Sequence, residues 1–189
     1  MSFPSKTFQG ATYGFEHLTP ITPSIVLPVS GQAEVTVPIQ VSFGCHCFTE
    51  EFSAVLHQNH HRYVYKGELR AFDLVRYKCS LHLPAVVASM IASGRVYTSQ
   101  NSYTYVAQLT LAGADGPQNY SVFFSLERDD KPASPALRMF IKSGYLKGLA
   151  APSHAESWRF PALAGLVSGV YVSPVRKPRP IKQAKKKGP

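Results

Sequence analysis

The stretch "QAEVTVPIQVSFG", residues 32–44, constrains the fold more than any other part of the chain. Ala33, Val35, Val37, Ile39, Val41 and Phe43 hold the odd positions, while Gln32, Glu34, Thr36, Gln40 and Ser42 hold even ones. A period of two is that of a β-strand with one face buried and one wet. Pro38 has no N–H to give to a ladder, so the strand is expected at a sheet edge or bulged there. Just upstream, "SIVLPV" followed by "SG" predicts a hairpin partner.

A strand of this kind needs a sheet to belong to, and the second half of the chain offers one. "SYTYVAQLTLAG" carries Tyr103, Tyr105, Ala107, Leu109 and Leu111 on one face; "NYSVFFSLER" carries Tyr120, Val122, Phe124 and Leu126; "LRMFIKSGY" carries Leu137, Met139 and Ile141. The joints "GADGPQ" and "DDKPASP" are turn chemistry, so these strands are expected to pair antiparallel in sequence order. Before them, "LPAVVASMIASG" sets Pro84 in a first turn and Gly94 past the end, with Leu83, Val86, Val87, Met90 and Ile91 at helical spacing. The expected architecture is α+β: an antiparallel β-meander with one or two helices packed on one face, preceded by an N-terminal hairpin. "TEEFSAVLH" predicts a short helix capped by Thr49 and burying Phe52, Val55 and Leu56. "RYVYKGELRAFDLVRY" predicts two strands around Lys66, Gly67 and Glu68. Residues 148–175 are apolar enough to dock as a final arm.

Composition narrows the function classes. At 189 residues, 44% hydrophobic and 16% charged, the chain can bury a core without covalent staples. It has no apolar run long enough for a membrane span and no apolar signal segment at "MSFPSKTFQG", so a cytoplasmic protein without membrane contact is expected. Three cysteines argue for reduced thiols or a metal rather than a disulfide framework. The net charge of +9 is concentrated in "RKPRPIKQAKKKGP", whose seven Lys or Arg leave 13 basic against 11 acidic groups in residues 1–175. A single domain over 1–175 and a disordered basic tail over 176–189 are therefore expected. Lys185, Lys186 and Lys187 in that tail suit a polyanion such as RNA or DNA, or serve solubility alone.

Chemistry concentrates in "GCHCFTEEFSAVLHQNHH", residues 44–61. Continuing the strand register turns Cys45 and Cys47 into the core and His46 outward. Unpaired thiols pack as small hydrophobes. Cys45, Cys47, His60 and Cys79 are an alternative zinc set, although one residue between the first two is shorter spacing than zinc sites favour. An outward histidine at a strand end is either idle or an acid–base group, because imidazole titrates near neutrality. Of His60 and His61, adjacent in the chain, at most one serves a common site. Arg62, Lys66, Arg70, Arg76 and Lys78 cluster in sequence. In strand register Arg70, Phe72, Leu74 and Arg76 share a face, two guanidiniums flanking an aromatic that receives a base, or a surface pair balanced by Glu68 and Asp73. No Gly-rich phosphate loop, nucleophile elbow or paired-carboxylate motif is present, and no cofactor is expected.

The helix "LPAVVASMIA", the strand "NYSVFFSLER" and the final strand ending "MFIKSGYLK", with short stretches such as "FDLVRY" and "KSGYL", resemble the barnase, EndoU, colicin and RelE-like group of small ribonuclease folds. The likeness is to its phage-associated and toxin-like members, over residues 60–147. It implies metal-independent RNA cleavage on an open sheet face. Arg70 and Arg76 then match the basic positions, and Ser143 with Tyr145 the polar end of the last strand. An inhibitor protein of antitoxin type is the partner such a toxin implies. His46 lies outside the matched segment; with His61 it is the expected acid or base. The competing expectations are a non-catalytic binder of nucleic acid or of a protein partner, and a zinc-stabilised module.

Overall fold

The computed structural model describes residues 2–99, 102–131, 134–146 and 156–171. In chain order the elements are β1 (Lys6–Phe8), β2 (Ala11–Tyr13), β3 (Ser24–Leu27), β4 (Val35–Phe43), β5 (Thr49–Glu51), β6 (Arg62–Tyr65), β7 (Glu68–Phe72), α1 (Leu74–Ser80) and α2 (Leu83–Ser93). They continue with β8 (Arg95–Ser99), β9 (Ser102–Leu109), β10 (Gln118–Arg128), β11 (Leu137–Leu146), β12 (Ser157–Arg159) and α3 (Phe160–Ser168). The fold is α+β, as the residue pattern predicts.

The main sheet runs β12-β8-β9-β10-β11-β4-β3. β8 to β11 form the expected antiparallel meander, β3 pairs antiparallel with β4 as the expected hairpin, and β4 joins β11 in parallel. β4 buries Val37, Ile39 and Val41 completely. It is an interior strand, not an edge. The proline is accommodated differently: Ile39 donates its N–H to Pro23 O, so Pro38 nitrogen faces the other side, just before the β11 ladder begins at Ile39. No ladder bond is lost.

α2 buries the five residues its spacing selects, against α3 and the 3-10 turn Glu16–Leu18. α3 lies on β10, with Phe160 fully buried beside Phe124. The segment 156–171 thus docks through β12 on β8 and α3 on the sheet; residues 148–155 and 172–175 of the expected arm lie outside the described residues, as does the basic tail. Among the described residues no helix is long and apolar enough to cross a membrane.

A second, three-stranded sheet, β5-β7-β6, holds Arg62, Arg70 and Phe72 of the residues singled out for function. β6 and β7 are the expected strands, joined by a tight turn in which Lys66 and Gly67 both have positive φ. Two expectations fail nearby. Residues 49–57 form no helix: Thr49–Glu51 pair with Arg70–Phe72 as β5, and Val55 and Leu56 are 93% and 77% exposed. A helix this short gains little on its own, whereas β7 offers a second edge to pair with. The strand that carries Arg70 also stops at Phe72. Asp73 accepts a hydrogen bond from Arg76 N and caps α1, so Leu74 and Arg76 are helical and share no strand face with Arg70.

Candidate functional site

A cavity of about 720 Å³ opens where three elements converge: the end of β4 with the turn that follows it, the β6–β7 turn, and the bulged middle of β11. That size is typical of a small-molecule site. Its walls are largely aromatic, from Phe3, Phe43, Tyr65 and Phe140, and its polar groups include Cys45, His46, Lys66, Glu68 and Lys142.

Each polar group is delivered by a local feature. After β4 the chain does not continue the alternation but tightens into a 3-10 turn, Cys45–Cys47, closed by Phe48 N on Cys45 O. Gly44 lets this turn approach β11: a Cβ there would stand 3.0 Å from Lys142 O and 3.1 Å from the Phe140 ring. The turn buries Cys45 and Cys47 and leaves the His46 side chain 43% exposed, as the register predicts though by another geometry. In β11 the pairing to β10 steps from Ile141↔Phe124 to Ser143↔Phe123, so Lys142 is the extra residue of a β-bulge. Bulges re-aim side chains.

His46 Nε2 lies 3.3 Å from Glu68 Oε1, and the same oxygen accepts from Arg70 Nη1 at 2.8 Å. This guanidinium bond, then charge from Arg70 and His46, holds the Glu68 carboxyl below the usual carboxylate range. Burial, and after it the Glu68 charge, pushes the Cys45 thiol up. Donor atoms of Cys45, His46 and Glu68 all lie within 4.8 Å of one another.

Other sequence-predicted residues lie elsewhere or are occupied. The Arg70 side chain is 11% exposed and also donates from Nε to Thr49 Oγ1 at 2.8 Å. Arg76 Nη1 donates to Thr49 O at 2.9 Å while its guanidinium lies 5.0 Å over the Tyr145 ring. The two arginines therefore do converge, on Thr49, but neither lines the cavity. Tyr145 stacks on Phe123, the register partner of Ser143, also away from it. Phe72 is 1% exposed among Phe8, Tyr13, Phe15 and Tyr77, and cannot receive a base. His61 sits in a 3-10 turn with His60, its ring 4.1 Å from that neighbour, its Nδ1 accepting from Gln58 N. Burial first, then His60, lowers its pKa. Arg62 covers Phe52, and Lys78 is exposed on α1. Lys185, Lys186 and Lys187 lie outside the described residues.

The expected zinc set is not brought together. Cys47 and Cys79 are fully buried, their thiols pushed up to about 12 and about 11 chiefly by burial, and His60 is on the surface. Of the four, only Cys45 belongs to a convergent donor group among the described residues. Glu68 and Lys142, which line the cavity, were missed as site residues. Glu68 read as a balancing charge, although its place just after a Lys-Gly turn was a signal.

Fold and site together define an α+β protein with a small second sheet whose hairpin turn borders an aromatic-walled, side-chain-lined cavity. Within that class the chain belongs to the YjaZ family, whose model matches residues 5–168. No curated protein and no solved structure matches the chain.

Proposed function

We propose that the cavity binds a nucleotide, most usefully one at the end or in the bend of a single-stranded RNA. One observation carries this reading: aromatic walls and two lysines, Lys66 and Lys142, line the same concavity of about 720 Å³. A base has a π-face that aromatic rings accept without regard to sequence, and ammonium groups meet the phosphate that travels with it. The basic tail would add a salt-dependent, non-specific contribution to the same ligand.

Cleavage is a second reading, favoured by the position of His46 at the cavity with Glu68 3.3 Å from its Nε2. His46 would take the ribose 2′-hydroxyl proton as the 2′-oxygen bonds to phosphorus, and the bond to the 5′-oxygen breaks as that oxygen takes a proton from solvent. A lysine ammonium would meet the charge on phosphorus. Arg70 and Arg76 have no part in this version, because neither lines the cavity.

The test is fluorescence anisotropy with a short labelled RNA at physiological salt, in protein freed of metal, with cleavage followed in the same tubes. Binding weakened severalfold or more by Lys66→Ala with Lys142→Ala, in protein that stays folded, supports the reading. Binding indifferent to both changes overturns it. Products that disappear with His46→Ala establish cleavage; intact RNA leaves a binder.

A further inference from the structure

We infer that Cys45, His46 and Glu68 form a site for a zinc-like divalent transition metal, held by three protein ligands with its open position toward the cavity. The inference goes beyond nucleotide binding and stands on other observations.

The donor set comes first. One sulfur, one imidazole nitrogen and one carboxylate oxygen, all within 4.8 Å of one another, are a mixed set that suits zinc and its neighbours. Magnesium and calcium take oxygen ligands instead. The spacing fits as well. A tetrahedron on bonds of about 2.0–2.1 Å to nitrogen and oxygen has an edge of about 3.3 Å, and His46 Nε2 stands 3.3 Å from Glu68 Oε1. A bond to sulfur of about 2.3 Å makes the remaining edges about 3.6 Å, so within the 4.8 Å limit Cys45 has at most about 1.2 Å to close.

Placement gives the site its character. All three residues line the cavity, so an ion among them faces it. Three protein ligands and an open fourth position belong to zinc that takes water or a ligand, whereas purely structural zinc is closed by four. The fourth position would take water or a ligand oxygen such as that of a phosphate.

Arg70 supports the carboxylate from outside. Its Nη1 holds Glu68 Oε1 and its Nε is tied to Thr49 Oγ1, so the carboxylate is oriented before an ion arrives. Its charge also opposes a cation. A thiolate and a carboxylate together outweigh one guanidinium, so the protein groups facing the ion are net negative once Cys45 has given up its proton to solvent on binding it. Adjacent cysteine and histidine could not both ligate from an extended strand, whose neighbours point apart. The 3-10 turn Cys45–Cys47 removes that obstacle, and the β6–β7 hairpin supplies Glu68.

With an ion bound, His46 is spent as a ligand. Metal-free cleavage and the loaded site therefore belong to different states of the protein.

The test is titration of the full chain, stripped with chelator, with cobalt(II), followed by absorption. One equivalent is expected to bind, with a thiolate-to-cobalt charge-transfer band and the visible bands of a four-coordinate ion. Cys45→Ser should abolish the charge-transfer band. His46→Ala and Glu68→Gln, at a half-buried and an exposed position, should each weaken binding by more than about tenfold, since losing even an outer partner of a metal ligand costs that much. His60→Ala with His61→Ala should change nothing. Absence of the band in folded wild-type protein overturns the site, as does a band that survives Cys45→Ser or is indifferent to both His46→Ala and Glu68→Gln. RNA binding is measured on stripped protein, so either proposal can fail without the other.

Discussion

His46 and Arg70 meet on a single oxygen: Glu68 Oε1 accepts from Arg70 Nη1 at 2.8 Å and stands 3.3 Å from His46 Nε2. Two groups far apart in the reading of the chain as strands are joined by a third that the β6–β7 turn presents. One guanidinium is turned away from the cavity and fixes the carboxylate, while the imidazole remains on the cavity side.

Arg76 is a structural tie between α1, β5 and β11. Replacing it with Ala removes a charged hydrogen bond to Thr49 O and the contact with the Tyr145 ring. The expected cost is about 1.5–3 kcal/mol by urea unfolding, with RNA affinity of the folded protein unchanged. A fall in affinity at unaltered stability would restore it as a phosphate clamp.

Phe72 should behave as core. Phe72→Ala is expected to cost about 3–5 kcal/mol, and Phe72→Leu less, with no change in RNA affinity once the leucine protein is shown to be folded. Affinity lost at full stability would mean that a base reaches this ring.

Tyr120 and Gly144 should couple. The Tyr120 hydroxyl is buried with no hydrogen-bond partner among the described residues, and it occupies the space that a Gly144 side chain would need. Tyr120→Phe is therefore expected to be neutral or to stabilise, by up to about 1 kcal/mol. Gly144→Ala should cost about 1–3 kcal/mol by overpacking, and much of that cost should vanish when the two changes are combined. Thermal unfolding of the four proteins checks this. Additive effects would contradict the contact.

Stability should fall with acid partly through His17. Its Nε2 lies 2.8 Å from Ser80 Oγ, which itself donates to Tyr77 O, so the ring donates to the serine. Burial lowers its pKa in the folded protein, against a smaller raising effect of Glu16. A histidine whose folded value is depressed contributes stability that is complete above its ordinary value of 6.5 and is lost as pH drops through that value toward the folded one. Urea midpoints should therefore decline between about pH 7.5 and about pH 5.5, and less steeply in His17→Gln. The remaining slope includes His61, whose pKa is shifted in the same direction. Equal slopes in the two proteins would rule out the His17 contribution.

The sheet was legible because its strands carry period-two patterns backed by core burial: Val37, Ile39, Val41, Val122, Phe124 and Met139 are all buried where their parity puts them. α2 was legible for the same reason at helical spacing. The site was less so. Its shape depends on three departures from regular pattern, namely the 3-10 turn at Cys45–Cys47, the bulge at Lys142 and the stop at Phe72. The first two are set by tertiary approach, Gly44 against β11 and β10 against β11, which no local pattern encodes. The third was readable, since Asp73 immediately before the apolar Leu74 and Val75 is an N-cap signal. An alternating pattern that runs on past Phe72 hid it, and with it the separation of Arg70 from Arg76.

The central claim is that RNA enters the cavity beside His46, and photo-cross-linking tests it most directly. A short RNA carrying a photoreactive base is irradiated with the full chain at physiological salt, and the attached peptides are mapped. Cross-links on the segments holding Phe3, Tyr65 or Phe140 are predicted, diminished by Lys66→Ala with Lys142→Ala. Cross-links confined to the basic tail or to the Arg76–Tyr145 side of the sheet would contradict the account.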